Sequence, residues 1–130
     1  MAVRYFFPAL LWGVVIFIVI SMPPGNIPKT GLFNIPYFDK IVHFGLFTVF
    51  GMLLSAGFFK QREEGLLRQY FILMTILTGF FYGSITEVLQ HFYFTGRDGN
   101  MFDVMANLFG TVFGVILFRL ILKIKPKFFI

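Results

Sequence analysis

The sequence predicts an all-α, polytopic membrane protein, a compact bundle of four transmembrane helices, on three observations. Hydrophobic residues make up 58% of the 130 and charged residues 13%, about half the charged share of an ordinary soluble domain. Four apolar stretches each approach or exceed the roughly 20 residues that a helix needs to cross the hydrocarbon layer. The basic residues flank those stretches and leave their interiors apolar. Twenty-one Phe exceed what a soluble core of this size hides, so lipid has to cover much of the surface. A single membrane domain over residues 1–130 is expected, without internal repeats.

The first span runs from Tyr5 to Met22 and stops at Pro23-Pro24-Gly25, since two prolines cannot continue a helix. Arg4 precedes it, as in a signal peptide, but no small-x-small cleavage site follows, so it reads as a retained membrane helix. Residues 23–37 are too polar and too broken by Pro28, Gly31 and Pro36 to span. The second span covers Phe38 to Phe59. Lys60-Gln61-Arg62-Glu63-Glu64-Gly65 separates it from the third, Tyr70 to Phe94, and the turn-rich Thr95 to Asn100 segment leads into the fourth, Met101 to Ile124. Trp12 and the tyrosines read as an interfacial belt.

Four spans put the N-terminus, the 60–65 loop and the C-terminus on one side. That side carries Arg4, Lys60, Arg62, Arg68, Arg119, Lys123, Lys125 and Lys127, against Lys29, Lys40 and Arg97 on the other. The positive-inside rule therefore predicts cytoplasmic N and C termini. With the charges placed by topology, the net charge of +5 offers no basic groove with interleaved aromatics, and nucleic acid is not expected as a partner. The absence of cysteine excludes disulfides, thiolate metal sites and a cysteine nucleophile.

Polar residues break the apolar pattern at few places: Asp39, Lys40 and His43 in the second span, Glu87 and Gln90 in the third, Asp103 and Asn107 in the fourth. Ionisable groups within spans are costly and mark functional sites by default. At 1.5 Å of rise per residue, His43, Glu87 and Asn107 all lie about 8–10 Å from the outward end of their helices. Three helices running in alternating directions thus bring their polar residues to one level. Asp103, Asn107, Gly110 and Gly114 fall within about 60° on the helical wheel, and Gly79, Gly83, Thr86, Glu87 and Gln90 within about 100°. Gly79, Gly83, Gly110 and Gly114 are expected to pack the helices closely beneath the polar site.

Taken in order, Asp39-Lys40-x-x-His43, Glu87-x-x-Gln90, Arg97 and Asp103-x-x-x-Asn107-x-x-Gly110-x-x-x-Gly114 make the chain resemble the VanZ-like family of bacterial membrane proteins. The resemblance implies a four-span protein of the bacterial plasma membrane. It also implies a connection with the cell envelope, since the family takes its name from a member associated with resistance to the glycopeptide teicoplanin. His91 lies outside the pattern.

Several readings of the cluster stay open. In the first, Lys40, Gln90, Arg97, Asp103 and Asn107 bind an anionic or lipid-linked envelope precursor at an outward-facing site, with membrane lipid as the surrounding partner. In the second, the protein is an enzyme in which His43, with Asp39 or Glu87, performs acid–base catalysis. No cofactor is identified from the sequence, but Asp39, His43, Glu87 and Asp103 are candidate ligands for a divalent metal. In the third, the cluster is a purely structural polar network fixing helix register. A small transporter is a further alternative. The sequence fixes neither the ligand nor the oligomeric state.

Overall fold

A computed structural model describes residues 2–22, 38–61, 63–93 and 101–128. The described residues are helical, without strands, and four helices are long and apolar enough to cross a membrane. A 3-10 turn, Val3–Phe6, leads into α1 (Phe7–Ser21), with Pro8 in the first turn, where its missing N–H costs nothing. There follow α2 (Phe38–Phe59), a short α3 (Leu66–Gln69), α4 (Phe71–Phe92) and α5 (Met101–Ile124), and a 3-10 turn at Pro126–Phe128.

The second and fourth spans coincide with α2 and α5. The third starts at Phe71, one residue after the expected Tyr70. The chain turns at Tyr70 (φ −108°, ψ 29°), so that Leu66–Gln69 forms a separate helical turn before α4 starts at Phe71. Arg68 lies in that turn with its guanidinium 4.3 Å from the Phe59 ring centre, so the turn folds back over the end of α2. The expected extension of the third span to Phe94 lies outside the described residues.

The most extensive interface joins α2 to α5, with α4 packed on both. Glycine makes this closeness possible. A Cβ on Gly110 would stand 2.5 Å from the Phe44 carbonyl oxygen, one on Gly51 2.5 Å from that of Thr111, and one on Gly114 would overlap that of Thr48. On α4, Gly79 faces the Thr111 side chain and Gly83 that of Asn107. Without side chains at these positions the backbones come into direct contact, the main source of attraction between helices once all of them are apolar.

At one end of the bundle Phe59, Phe71 and Phe118 from α2, α4 and α5 meet with ring centres 5.4–5.9 Å apart. The same end carries the N-terminal turn: Phe6 packs edge-on against Phe58, and Gln61 bridges to the backbone of Ala2 and Gly57. Of the four long helices α1 is the least embedded, burying only Ala9, Ile16 and Ile20. Three side chains pin it by donating to backbone carbonyls: Trp12 to Leu46 (2.8 Å), Tyr82 to Gly13 (2.6 Å) and Gln90 to Ile20 (3.1 Å). Trp12 and Tyr82 are therefore inter-helix fasteners within the bundle, a correction to their reading as interfacial belt residues. Each has a polar tip on an apolar body, and inside the membrane that tip must find an internal acceptor.

Candidate functional site: a buried polar cluster of three helices

The inward faces of α2, α4 and α5 carry His43, Glu87, Asp103 and Asn107, none of them more than 5% exposed. The seam of glycine contacts explains why these side chains meet. Gly110 lies one turn below Asn107 on α5, and Gly83 one turn below Glu87 on α4, so the close approach of the backbones at those points brings the next turn of each helix together.

Asn107 is the hub. His43 Nδ1 lies 2.9 Å from Asn107 Oδ1, Asn107 Nδ2 lies 3.4 Å from Glu87 Oε1, and that carboxylate oxygen is also 3.4 Å from His43 Nδ1. An ionised Glu87 only accepts, so the amide presents its N–H₂ to the carboxylate and its oxygen to the ring. His43 Nδ1 then carries the proton that is donated to Asn107, and in the neutral form of the ring the lone pair lies on Nε2. On the outer side Lys40 Nζ sits 3.3 Å from Asp103 Oδ1 and 3.3 Å from Asp39 Oδ2. The ammonium thus bridges a buried carboxylate, 4% exposed, and one that is 49% exposed.

The site residues expected from the sequence divide into groups. His43, Glu87, Asp103, Asn107 and Lys40 converge. Asp39 does not enter the cluster: one turn before His43, in the first turn of α2, it stands at the rim and reaches the site only through Lys40. Gln90 is buried, but its amide donates to the Ile20 carbonyl, so it fastens α1 to α4. Arg97 lies outside the described residues. Gly79, Gly83, Gly110 and Gly114 line the seam below the cluster. Sequence reasoning missed Gln61, a buried residue in a charged loop that accepts from the Ala2 N–H at 2.8 Å. Nothing in the surrounding pattern marks it, because its partner is the chain terminus. A further set of buried hydroxyls was also overlooked below the site: Thr48 and Thr111 donate to carbonyls one turn back, and Ser55 donates to Thr75 across helices.

One ligand atom each from His43, Glu87 and Asp103 lies within 4.8 Å of the others. An imidazole and two carboxylates on three separate helices form a donor set that borderline divalent ions accept.

The family model described as VanZ/LLP1 matches residues 5–122. The chain belongs to the VanZ/LLP1 family. The match takes in the four long helices up to Leu122 and every residue of the polar cluster. Comparison with curated proteins and with solved structures returned no match.

Proposed function

We propose that this VanZ/LLP1 member binds an anionic or lipid-linked cell-envelope molecule at the buried polar cluster, from the extracytoplasmic side of the bacterial plasma membrane. The observation that carries the reading is the convergence of His43, Glu87, Asp103, Asn107 and Lys40 within a few ångströms inside an otherwise apolar bundle. Fixing helix register would take one or two hydrogen bonds. Two buried acids, an ammonium, an imidazole and an amide exceed that need and suit recognition of a charged headgroup.

A second feature supports a ligand with a hydrocarbon chain. Between α1, α2 and α4 lies an apolar cleft of about 450 Å³, lined by residues including Ala9, Gly13, Phe50, Leu54 and Tyr82. Its inner wall, Phe50 and Tyr82, contacts Phe47, with ring centres 5.8 and 6.2 Å away, and Phe47 lies beside Gly83 and Asn107. One aromatic layer separates the cleft from the polar cluster. A lipid-linked molecule has both parts, and interference with glycopeptides such as teicoplanin, which act on lipid-linked wall material, is the physiological role this reading accommodates.

The test is native mass spectrometry of the protein released from its own membrane. Arg97→Ala and Lys40→Ala, each shown to be folded, are expected to lose retained phospholipid or polyprenyl phosphate. Retention equal to that of the unaltered protein would sink the proposal.

A second reading, acid–base chemistry, has one observation in its favour. The His43–Asn107–Glu87 chain orients the imidazole and leaves the Nε2 lone pair available to a substrate proton. Turnover of a polyprenyl phosphate or phospholipid that disappears in His43→Gln, with lipid retention unchanged, is the result expected of an enzyme.

A further inference from the structure

We infer that His43, Glu87 and Asp103 hold a divalent cation, and that this cation makes the cluster able to take an anionic headgroup. The inference rests on the proposed binding of an anionic molecule and supplies the charge that such binding lacks. Among the described residues of the cluster, the carboxylates of Glu87 and Asp103 stand against the ammonium of Lys40. With a neutral imidazole the group carries one net negative charge and repels a phosphate. A divalent ion reverses the sign and adds a Lewis acid at the point of contact.

The geometry fits such an ion. Bonds of about 2.1 Å at a tetrahedral angle separate two ligand atoms by about 3.4 Å, and His43 Nδ1 and Glu87 Oε1 are 3.4 Å apart. The whole set of three lies within 4.8 Å, whereas two ligands of one ion with bonds of about 2.2 Å are at most about 4.4 Å apart. Contraction by a few tenths of an ångström closes the site, within the freedom of a carboxylate rotamer. Asn107 Oδ1, 2.9 Å from the same nitrogen, is placed to complete the shell once the ring proton moves from Nδ1 to Nε2 and frees the Nδ1 lone pair for the ion.

Lys40 gives the site its exchange. Its ammonium holds Asp103 in the metal-free form and has a second carboxylate, Asp39, at the same 3.3 Å distance on the exposed rim. An arriving ion takes Asp103, and Lys40 transfers to Asp39 without being stranded. Asp39 is thus a resting place for Lys40, which accounts for an acid outside the ligand set. One imidazole with two carboxylates suits manganese or zinc better than the all-oxygen shells of calcium and magnesium.

The experiment takes the full chain in lipid nanodiscs, stripped with chelator, and titrates it with Mn²⁺ and with Zn²⁺. Elemental analysis is expected to find one ion bound per chain, and electron spin-echo spectra of the Mn²⁺ form to show coupling to one imidazole nitrogen. No bound ion, or bound Mn²⁺ lacking that coupling, overturns the assignment, and neither result depends on a variant folding. His43→Ala and Glu87→Gln should weaken binding roughly tenfold or more, and Asp39→Asn far less; equal affinity in wild type and His43→Ala also overturns it. Retention of phospholipid and polyprenyl phosphate, measured with and without Mn²⁺, is expected to rise on loading. Metal bound without any gain in retention removes the headgroup role and leaves the ion site standing. Retention by a protein that takes no metal removes the ion site and leaves the proposed function standing.

Discussion

At the scale of single residues the cluster depends on Asn107, because it touches both the imidazole and the Glu87 carboxylate. The energetic worth of such contacts in a membrane is modest: the unfolded chain in the bilayer also finds partners, and hydrogen bonds between helices average about 0.6 kcal/mol, with the strongest near 1.7 kcal/mol. A double-mutant cycle of His43→Ala and Asn107→Ala, followed by detergent-induced unfolding, is expected to give a coupling of about 1 kcal/mol. A coupling indistinguishable from zero would show that the pair does not form. His43, Glu87, Asp103 and Asn107 were legible in the sequence because an ionisable or amide group inside an apolar span is costly, and such groups are few enough to align by depth. That Lys40 or Arg97 balances Asp39, Glu87 and Asp103 was legible; that Lys40 bridges Asp39 and Asp103 in particular was not. Asp39 and His43 share a helical face, and only the start of the neighbouring helix decides which of them is covered.

At the scale of helices, the seam between α2 and α5 makes a sharp prediction about glycine. Gly110→Ala would drive a methyl group to within 2.5 Å of the Phe44 carbonyl, and helix backbone cannot yield as a side-chain tip does. The helices must separate, at a cost of about 1–3 kcal/mol typical of overpacking, and the polar cluster one turn above opens with them. Gly45→Ala is the control. Nothing lies within 4 Å of its Cβ, and the change is expected to be neutral or to stabilise by up to about 1 kcal/mol through helix propensity. Thermal unfolding of the purified variants compares the two; equal losses would contradict the seam. The stripe containing Gly110 and Gly114 was readable from spacing, whereas Gly51 was not singled out, because its face carries only the hydroxyls of Thr48 and Ser55 and no ionisable or amide group to mark it. For α1, Tyr82→Phe removes the donor to Gly13 and should raise amide hydrogen exchange in the middle of α1 more than in α2 or α5. Unchanged exchange would mean that the phenol contributes nothing to holding α1.

For the whole molecule, the packing of the N-terminal turn against Phe58 and Gln61 places the chain start beside the 60–65 loop, as four alternating spans require. By the positive-inside rule the eight basic residues on that side predict that it faces the cytoplasm. The chain has no cysteine, so single cysteines can be introduced without first removing native ones. Glu64→Cys is expected to react with a membrane-impermeant maleimide only after the cells are opened, and Asn100→Cys in intact cells. The reverse pattern would turn the polar site toward the cytoplasm and remove the envelope reading with it.

The sequence by itself determined the four spans, their approximate ends, and the polar and glycine stripes of α4 and α5. Each of these follows from a local requirement of the bilayer: a helix must be long and apolar enough to cross, and a polar group must turn away from lipid. Only the tertiary structure decided which polar groups share partners. The Asn107 hub, the transfer of Gln90 and Tyr82 to holding α1, and the placement of Asp39 at the rim all depend on helix rotation and relative height. Those quantities arise from backbone contact at glycines far apart in the chain, and no periodicity within a single helix contains them.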